Sequence, residues 1–407
     1  MEYCRPIEDE PRPHRRSFAL LALFSVLGCF VALQLFVPLS TAIKIGEDED
    51  FELSKATLAL KGYHFYTEIW NDQPLFHTAL VTGLLKHVSG SVLTARLLTS
   101  AYSLLLLGSF FRLSMHIGGL AVGTLSALLL LVSPGFLELG SSCMVEIPAL
   151  APAIAGLCVL LTMKSSRIPR LAELIAALCF AVACQTKFIS IVLLPVAGLI
   201  LLFFRCDDHE RQSRDAAVSV RDDRSFLNLV IALSVFSVAF VVAFFSLQVL
   251  LSEGDWWLEF QQSWSAHFAA PKTLEYGSPD QFPFQWAVLL RHWDATIPAL
   301  SGVFYALRRA KSDRLLLLPV AWLALAVAVF GTHRPWWPYY YIHTALPLCG
   351  CAALGIVWCW REVTRRKFVA LSLSSAALGV AAALWIAGRM YFQLWPRNPV
   401  GELAVIE

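Results

Sequence analysis

Residues 18–42 read FALLALFSVLGCFVALQLFVPLSTA, and residues 43–52 continue IKIGEDEDFE. The first segment carries no charged residue, and it follows a tail with Arg12, Arg15 and Arg16. A signal-peptide core runs about 7–15 residues, and a spanning helix needs about 20. The run therefore reads as an uncleaved first membrane helix, with residues 1–17 as a cytoplasmic tail. The acids Glu47, Asp48, Glu49 and Asp50 stand where that helix leaves the bilayer.

The rest of the chain fits a membrane solvent. Of its 407 residues, 57% are hydrophobic and only 15% charged, and the mean hydropathy is +0.62. Soluble proteins are about 45–50% apolar and about 25% charged, so a soluble globular enzyme is excluded. The 27 Phe and 13 Trp need burial, which excludes disorder. A formal net charge of +2 gives no footprint for nucleic acid. Among the 10 cysteines there is no CxxC pair and no zinc spacing, and most lie inside apolar runs as small hydrophobes. No disulfide framework or structural zinc is expected.

Further apolar stretches fall near 93–112, 117–136, 147–163, 171–187, 189–204, 226–251, 286–307, 314–331, 339–360 and 367–388. With the first, they give about 11 membrane helices in an all-α polytopic protein, a single integral-membrane domain over 1–407. The stretch 75–90 holds His77, Lys86 and His87 and reads as a surface helix or a short extra span. Charge decides between these. Lys and Arg of short loops stay cytoplasmic. If 75–90 does not span and the N-terminus is inside, the inside segments hold 21 of the 32 Lys and Arg. If 75–90 spans, the bias inverts. The expected layout thus has a cytoplasmic N-terminus, a first outer loop over 43–92 with surface helices, and an outer C-terminal tail over 389–407.

In that layout the acids collect outside, at 47–52, Glu68, Asp72, Glu138, Glu146 and 253–280. The EDED run is either a solvated acidic cap or a carboxylate partly desolvated beside apolar structure. The second case raises basicity, as a general base requires. Glu146 suits a helix N-terminus, or binds substrate hydroxyls. Lys187 sits between two apolar helices with almost no loop. A lysine at that depth either snorkels or serves a function. Arg334, next to His333, has the fork that fits phosphate oxygens. Arg96 reads as an interface anchor. Trp336, Trp337, Tyr339, Tyr340 and Tyr341 form an aromatic belt or a platform for sugar or isoprenoid, and Trp256, Trp257 and Trp264 read as belt.

Four ordered motifs carry a family likeness. They are the Asp48-Glu49 pair, with Asn71-Asp72-Gln73-Pro74-Leu75 and SVLTARLLTS (91–100) after it; SPGFL (133–137) with CMVEIPA (143–149); QTKFIS (185–190); and HRPWWPYY (333–340) before HTALP (343–347). In this order they resemble the integral-membrane GT-C glycosyltransferases of the protein O-mannosyltransferase and aminoarabinose-transferase type, over roughly 18–205 and 314–360. The resemblance implies transfer of a sugar from a polyprenyl-phosphate donor to a lipid, glycan or protein acceptor at the outer face. It makes Asp48 the general base and gives Glu49 a part in positioning donor or acceptor. It puts Glu146, Lys187, His333, Arg334, Tyr339 and Tyr340 in substrate binding. Gln73 departs from one branch, which carries a lysine before the turn proline, and so more weight falls on Lys187 and Arg334 as the phosphate grip. No certain cofactor follows; a divalent cation on the acidic loop stays open. A bacterial inner or plasma membrane is the expected location, with membrane lipids as partners. The competing class is a transporter or flippase of lipid-linked precursors. That class would place its charges near the bilayer midplane on related halves.

Overall fold

A computed structural model describes residues 13–36, 47–88, 92–133, 135–163, 170–213, 222–268, 284, 286, 289, 292–333, 336–365 and 388. Among these residues the secondary structure is helical, with no strand. The uncharged first run forms α1 (Pro13–Phe36), and EDED opens a separate helix, α2 (Glu47–Leu60). Acids in a first turn face the positive end of the helix dipole, so this run starts a helix rather than a loop. The ambiguous stretch becomes α3 (Phe76–His87), whose 12 residues extend about 18 Å, well short of a roughly 30 Å hydrocarbon core.

Next come α4 (Val92–Gly118), α5 (Leu120–Leu131) and the single turn α6 (Phe136–Leu139). Gly119 and Gly135 carry positive φ where the chain breaks between them, a conformation other L-residues rarely adopt. Then follow α7 (Glu146–Thr162), α8 (Leu171–Thr186), a 3-10 stretch Phe188–Leu193 running into α9 (Leu194–Ser213), α10 (Asp222–Leu251) and α11 (Trp256–Phe268). The last described helices are α12 (Trp293–Arg309), α13 (Leu317–Thr332) and α14 (Tyr341–Arg365).

Five helical segments are long and apolar enough to cross a membrane: Arg16–Phe36, Val92–Gly118, Phe226–Leu251, Arg314–Thr332 and Pro338–Thr364. Leu120–Leu131, Glu146–Thr162, Leu171–Thr186 and Phe188–Phe203 are shorter apolar helices. Eleven apolar stretches in the sequence thus do not become eleven full-length spans among the described residues. The stretch at 286–307 is helical from Trp293, and nearly all of 367–388 lies outside the described residues, as does 389–407.

The outer surface departs from that of a soluble protein, and the hydrophobic core also holds charged residues. Leu35 and Phe36 on α1 are more than 80% exposed, and Phe226, Val238 and Leu250 on α10 and Leu300 and Leu307 on α12 are exposed as well. Polar Arg96, Glu49, Glu146, Lys187 and Gln185 are buried. Hydrocarbon makes exposed Leu and Phe cheap and exposed charge costly, which accounts for both. The protein is an integral membrane protein. Two cysteines expected inside, Cys29 and Cys359, are exposed; they sit among the outward apolar positions of α1 and α14, where lipid is the surrounding medium.

The core brings α4, α7, α8 and α10 side by side and packs α12 against α14. That last crossing is very close. A Cβ built on Gly302 would overlap the Cys351 carbonyl oxygen, and one on Gly355 would overlap the Pro298 carbonyl oxygen. Small residues at such a crossing let two backbones meet, which favours association in lipid.

Candidate active site

Four separate segments meet around the start of α2. Asp48 stands on its first turn, half-buried. Glu146 is the first residue of α7 and is 1% exposed. Lys187 caps α8 with extended backbone (φ −154°, ψ 123°) and is 4% exposed. Tyr339 and Tyr340 lie on the 3-10 turn Pro338–Tyr340 that leads into α14. The extended backbone at 187 interrupts the α8–α9 path and turns the lysine inward.

The interactions are specific. Lys187 Nζ donates to Glu146 Oε1. The same ammonium lies 5.2 Å from the Tyr339 ring centre and 5.3 Å from that of Tyr340, within cation–π range. Asp48 lies within electrostatic reach of both the Tyr339 hydroxyl and the Lys187 ammonium. Burial disfavours that charge, and Glu146, with Tyr340 and Asp48 adding to it, offsets the cost. Glu146 Oε2 is buried with no hydrogen-bond partner.

The aromatic wall is layered. The Tyr339 and Tyr340 rings meet edge to face at 4.9 Å, and Trp337 stacks on Tyr339. His333, the residue that ends α13, packs against Tyr340 at 5.3 Å. His343 stacks on Phe330 at 4.7 Å, buried, with Nε2 lacking a partner. Trp336 is buried against Phe284, so it belongs to the core and not to an interfacial belt. Trp256, Trp257 and Trp264 are exposed in a chain of rings with Phe245 and Phe260, as a belt requires. Arg334 lies outside the described residues.

Glu49 does something different from its neighbour. Both its oxygens are engaged: Arg96 Nε donates to Oε1 at 2.9 Å and Arg96 Nη2 to Oε2 at 2.8 Å, while the Cys143 backbone N–H donates to Oε1 at 2.6 Å. Both side chains are 0% exposed. Arg96 is therefore a buried tie between α4 and α2 rather than an interface anchor. A desolvated Glu49 needs a full counter-charge, and only an arginine fork satisfies two oxygens at once. The clamp fixes the turn that carries Asp48 against α4 and the segment before α7.

A second buried polar cluster went unread in the sequence. Lys55 donates to Glu52 and, at 3.1 Å, to Asn71 Oδ1; Thr78 Oγ1 donates to Glu52 Oε2 at 2.9 Å. Burial raises the Glu52 pKa, but Lys55, His77 and Thr78 together bring it below the usual value. His77 is wholly buried, and burial pushes it down to about 4. The i,i+3 spacing of Glu52 and Lys55 was the available signal.

Among the described residues no three His, Cys, Asp or Glu side chains converge to hold a metal ion. Glu49, Glu52 and Glu146 each already face a cation. Among the described residues, then, no donor set for a divalent cation is assembled.

No family model matches this sequence, and no curated protein matches it. The structural likeness is clear. ArnT, the aminoarabinose transferase of Cupriavidus metallidurans, superposes in its apo state with TM-score 0.58 and 17% identity, over 89% of this chain and 64% of that one. Its form bound to undecaprenyl phosphate gives TM-score 0.54, at 16% identity over 89% and 63%. The chain has a GT-C fold. The same fold is seen in the Archaeoglobus fulgidus oligosaccharyltransferase in complex with Zn and sulfate, with TM-score 0.62 and 13% identity over 94% of this chain and 54% of that one. The chain thus spans less than two thirds of the length of either relative.

Proposed function

We propose that this protein is a glycosyltransferase that moves a sugar from a polyprenyl-phosphate carrier to an acceptor hydroxyl at the outer face of the membrane. The observation that carries this reading is a half-buried carboxylate (Asp48) within electrostatic reach of a buried cation (Lys187), beside an aromatic wall. Asp48 takes the proton of the acceptor hydroxyl as that oxygen attacks the anomeric carbon. The C1–O bond to the carrier breaks, and the lipid phosphate leaves with the bonding pair. Lys187 balances the charge that develops on the phosphate, as a preorganised cation does best away from water. Tyr339 orients Asp48 through its hydroxyl, and Tyr340 and Trp337 wall the sugar. Arg334 and His333 are the further donors assigned to the phosphate in this reading.

The relatives support this chemistry in class. One was solved with undecaprenyl phosphate, and the archaeal oligosaccharyltransferase was also solved tethered to an acceptor peptide carrying an NVT sequon. A lipid-phosphate donor and a peptide or glycan acceptor follow for this chain as part of the same proposal, with the N-terminus cytoplasmic and the site on the outer side of a bacterial inner membrane. A transporter is disfavoured because Glu146 and Lys187 stand at helix ends and not at mid-helix. The test is transfer from a radiolabelled polyprenyl-phosphate sugar in membranes holding the wild type or Asp48→Asn. A positioned base contributes roughly 10²–10⁴-fold, so transfer by Asp48→Asn falls by that range. Full activity in that variant rejects Asp48 as the base.

A further inference from the structure

The Lys187–Glu146 pair is only half satisfied. Glu146 uses Oε1 for the ammonium and leaves Oε2 buried and unpartnered. An unmade hydrogen bond of this kind leaves the desolvation of that oxygen uncompensated. A pair kept only for stability closes both oxygens, as Glu49 does with Arg96 and the Cys143 N–H. The contrast lies within one molecule, at two buried Glu–cation pairs. The second pair is poised for exchange.

Building on the reading of Lys187 as the phosphate grip, we propose that Glu146 is a resident counter-anion, which holds Lys187 in the donor-free protein and is displaced from it by the carrier's phosphate. A buried lysine without an anion is costly, so Lys187 needs a stand-in whenever no phosphate is bound. A phosphate brings more charge and more acceptor oxygens than one carboxylate. Once released, Glu146 offers two oxygens to sugar or acceptor hydroxyls. Donor arrival thereby creates the second carboxylate of the site, and the order of binding is donor first. The groups facing Lys187 are Glu146 from α7, Asp48 from α2, Tyr339 and Tyr340 from the turn before α14, and His343 from α14.

The test is binding of undecaprenyl phosphate to the full chain in nanodiscs, by native mass spectrometry or calorimetry. Removing the stand-in removes the competition. Glu146→Gln is expected to bind about tenfold tighter than wild type near pH 7, a difference of about 1.4 kcal/mol. Glu146→Asp keeps the charge but draws it back by one methylene. It is expected to bind about threefold tighter, roughly half the tenfold change on a free-energy scale, and it serves if the glutamine variant does not fold. Equal or weaker binding by the variants overturns the exchange. Unchanged binding by Lys187→Met instead overturns the phosphate grip itself, which separates failure of the underlying reading from failure of this one.

Discussion

Replacing Arg96 by Met isolates the energy of the clamp that sets Asp48. Glu49 and Arg96 are both fully buried and bidentate, with a third donor from the Cys143 N–H. Removing one partner of a buried pair costs about 3–5 kcal/mol, because the other charge is stranded. In a chain of this length the thermal midpoint moves by roughly 1 °C per kcal/mol, so a fall of about 3–5 °C follows, read by intrinsic fluorescence in detergent. The double variant Glu49→Leu/Arg96→Met strands no charge. It recovers to within roughly 1–2 kcal/mol of wild type, since apolar replacement of a whole buried pair is often near neutral. The two single losses therefore add to more than the double loss, the signature of direct coupling. Transfer activity stays low in the double variant, because the clamp no longer fixes the turn that carries Asp48. An unshifted midpoint for Arg96→Met, or a double variant less stable than both singles, refutes the clamp.

Other outcomes follow from the same geometry. Tyr339→Phe removes a hydroxyl that stands within electrostatic reach of Asp48 and lowers the transfer rate about tenfold with little change in donor binding, the size of one charge-assisted hydrogen bond; loss of donor binding instead contradicts an orienting role. Gly302→Ala and Gly355→Ala force a methyl into an opposing carbonyl and each destabilise by roughly 1–3 kcal/mol in the same melting assay; a neutral result means that α12 and α14 are not so close. His77 titrates at about 4 when folded, against 6.5 for a free histidine. Between those values the unfolded chain binds more protons, so stability is full above about 6.5 and lost as pH falls toward about 4. His77→Gln flattens that stretch of the stability–pH curve, and a variant with the wild-type slope assigns the slope elsewhere.

The helices were legible because an apolar run has a local signature. Residues 171–187 were read as a span with Lys187 at its end, and α8 closes at Thr186. Asp48, Glu146, Lys187, Tyr339 and Tyr340 could be named because charge and aromatic density are rare next to apolar runs, and the fold brings these five together. Their partners were not legible. Glu49 and Arg96 are 47 residues apart, and nothing in either helix's periodicity says that they face each other. The Glu52–Lys55–Asn71–Thr78 cluster depends on how α2 folds back on α3, which no single-segment pattern encodes. The belt reading of Trp336 gives way to the core for the same reason: an aromatic run looks alike whether it lines an interface or fills a core.

Single-turnover transfer by the reconstituted protein, run beside donor binding for Asp48→Asn and Lys187→Met, bears most directly on whether one cluster holds both base and grip. The expected pattern is separation: Asp48→Asn binds donor as wild type does yet transfers roughly 10²–10⁴-fold more slowly, and Lys187→Met fails to hold the donor. Wild-type turnover by Asp48→Asn, or wild-type donor binding by Lys187→Met, contradicts it.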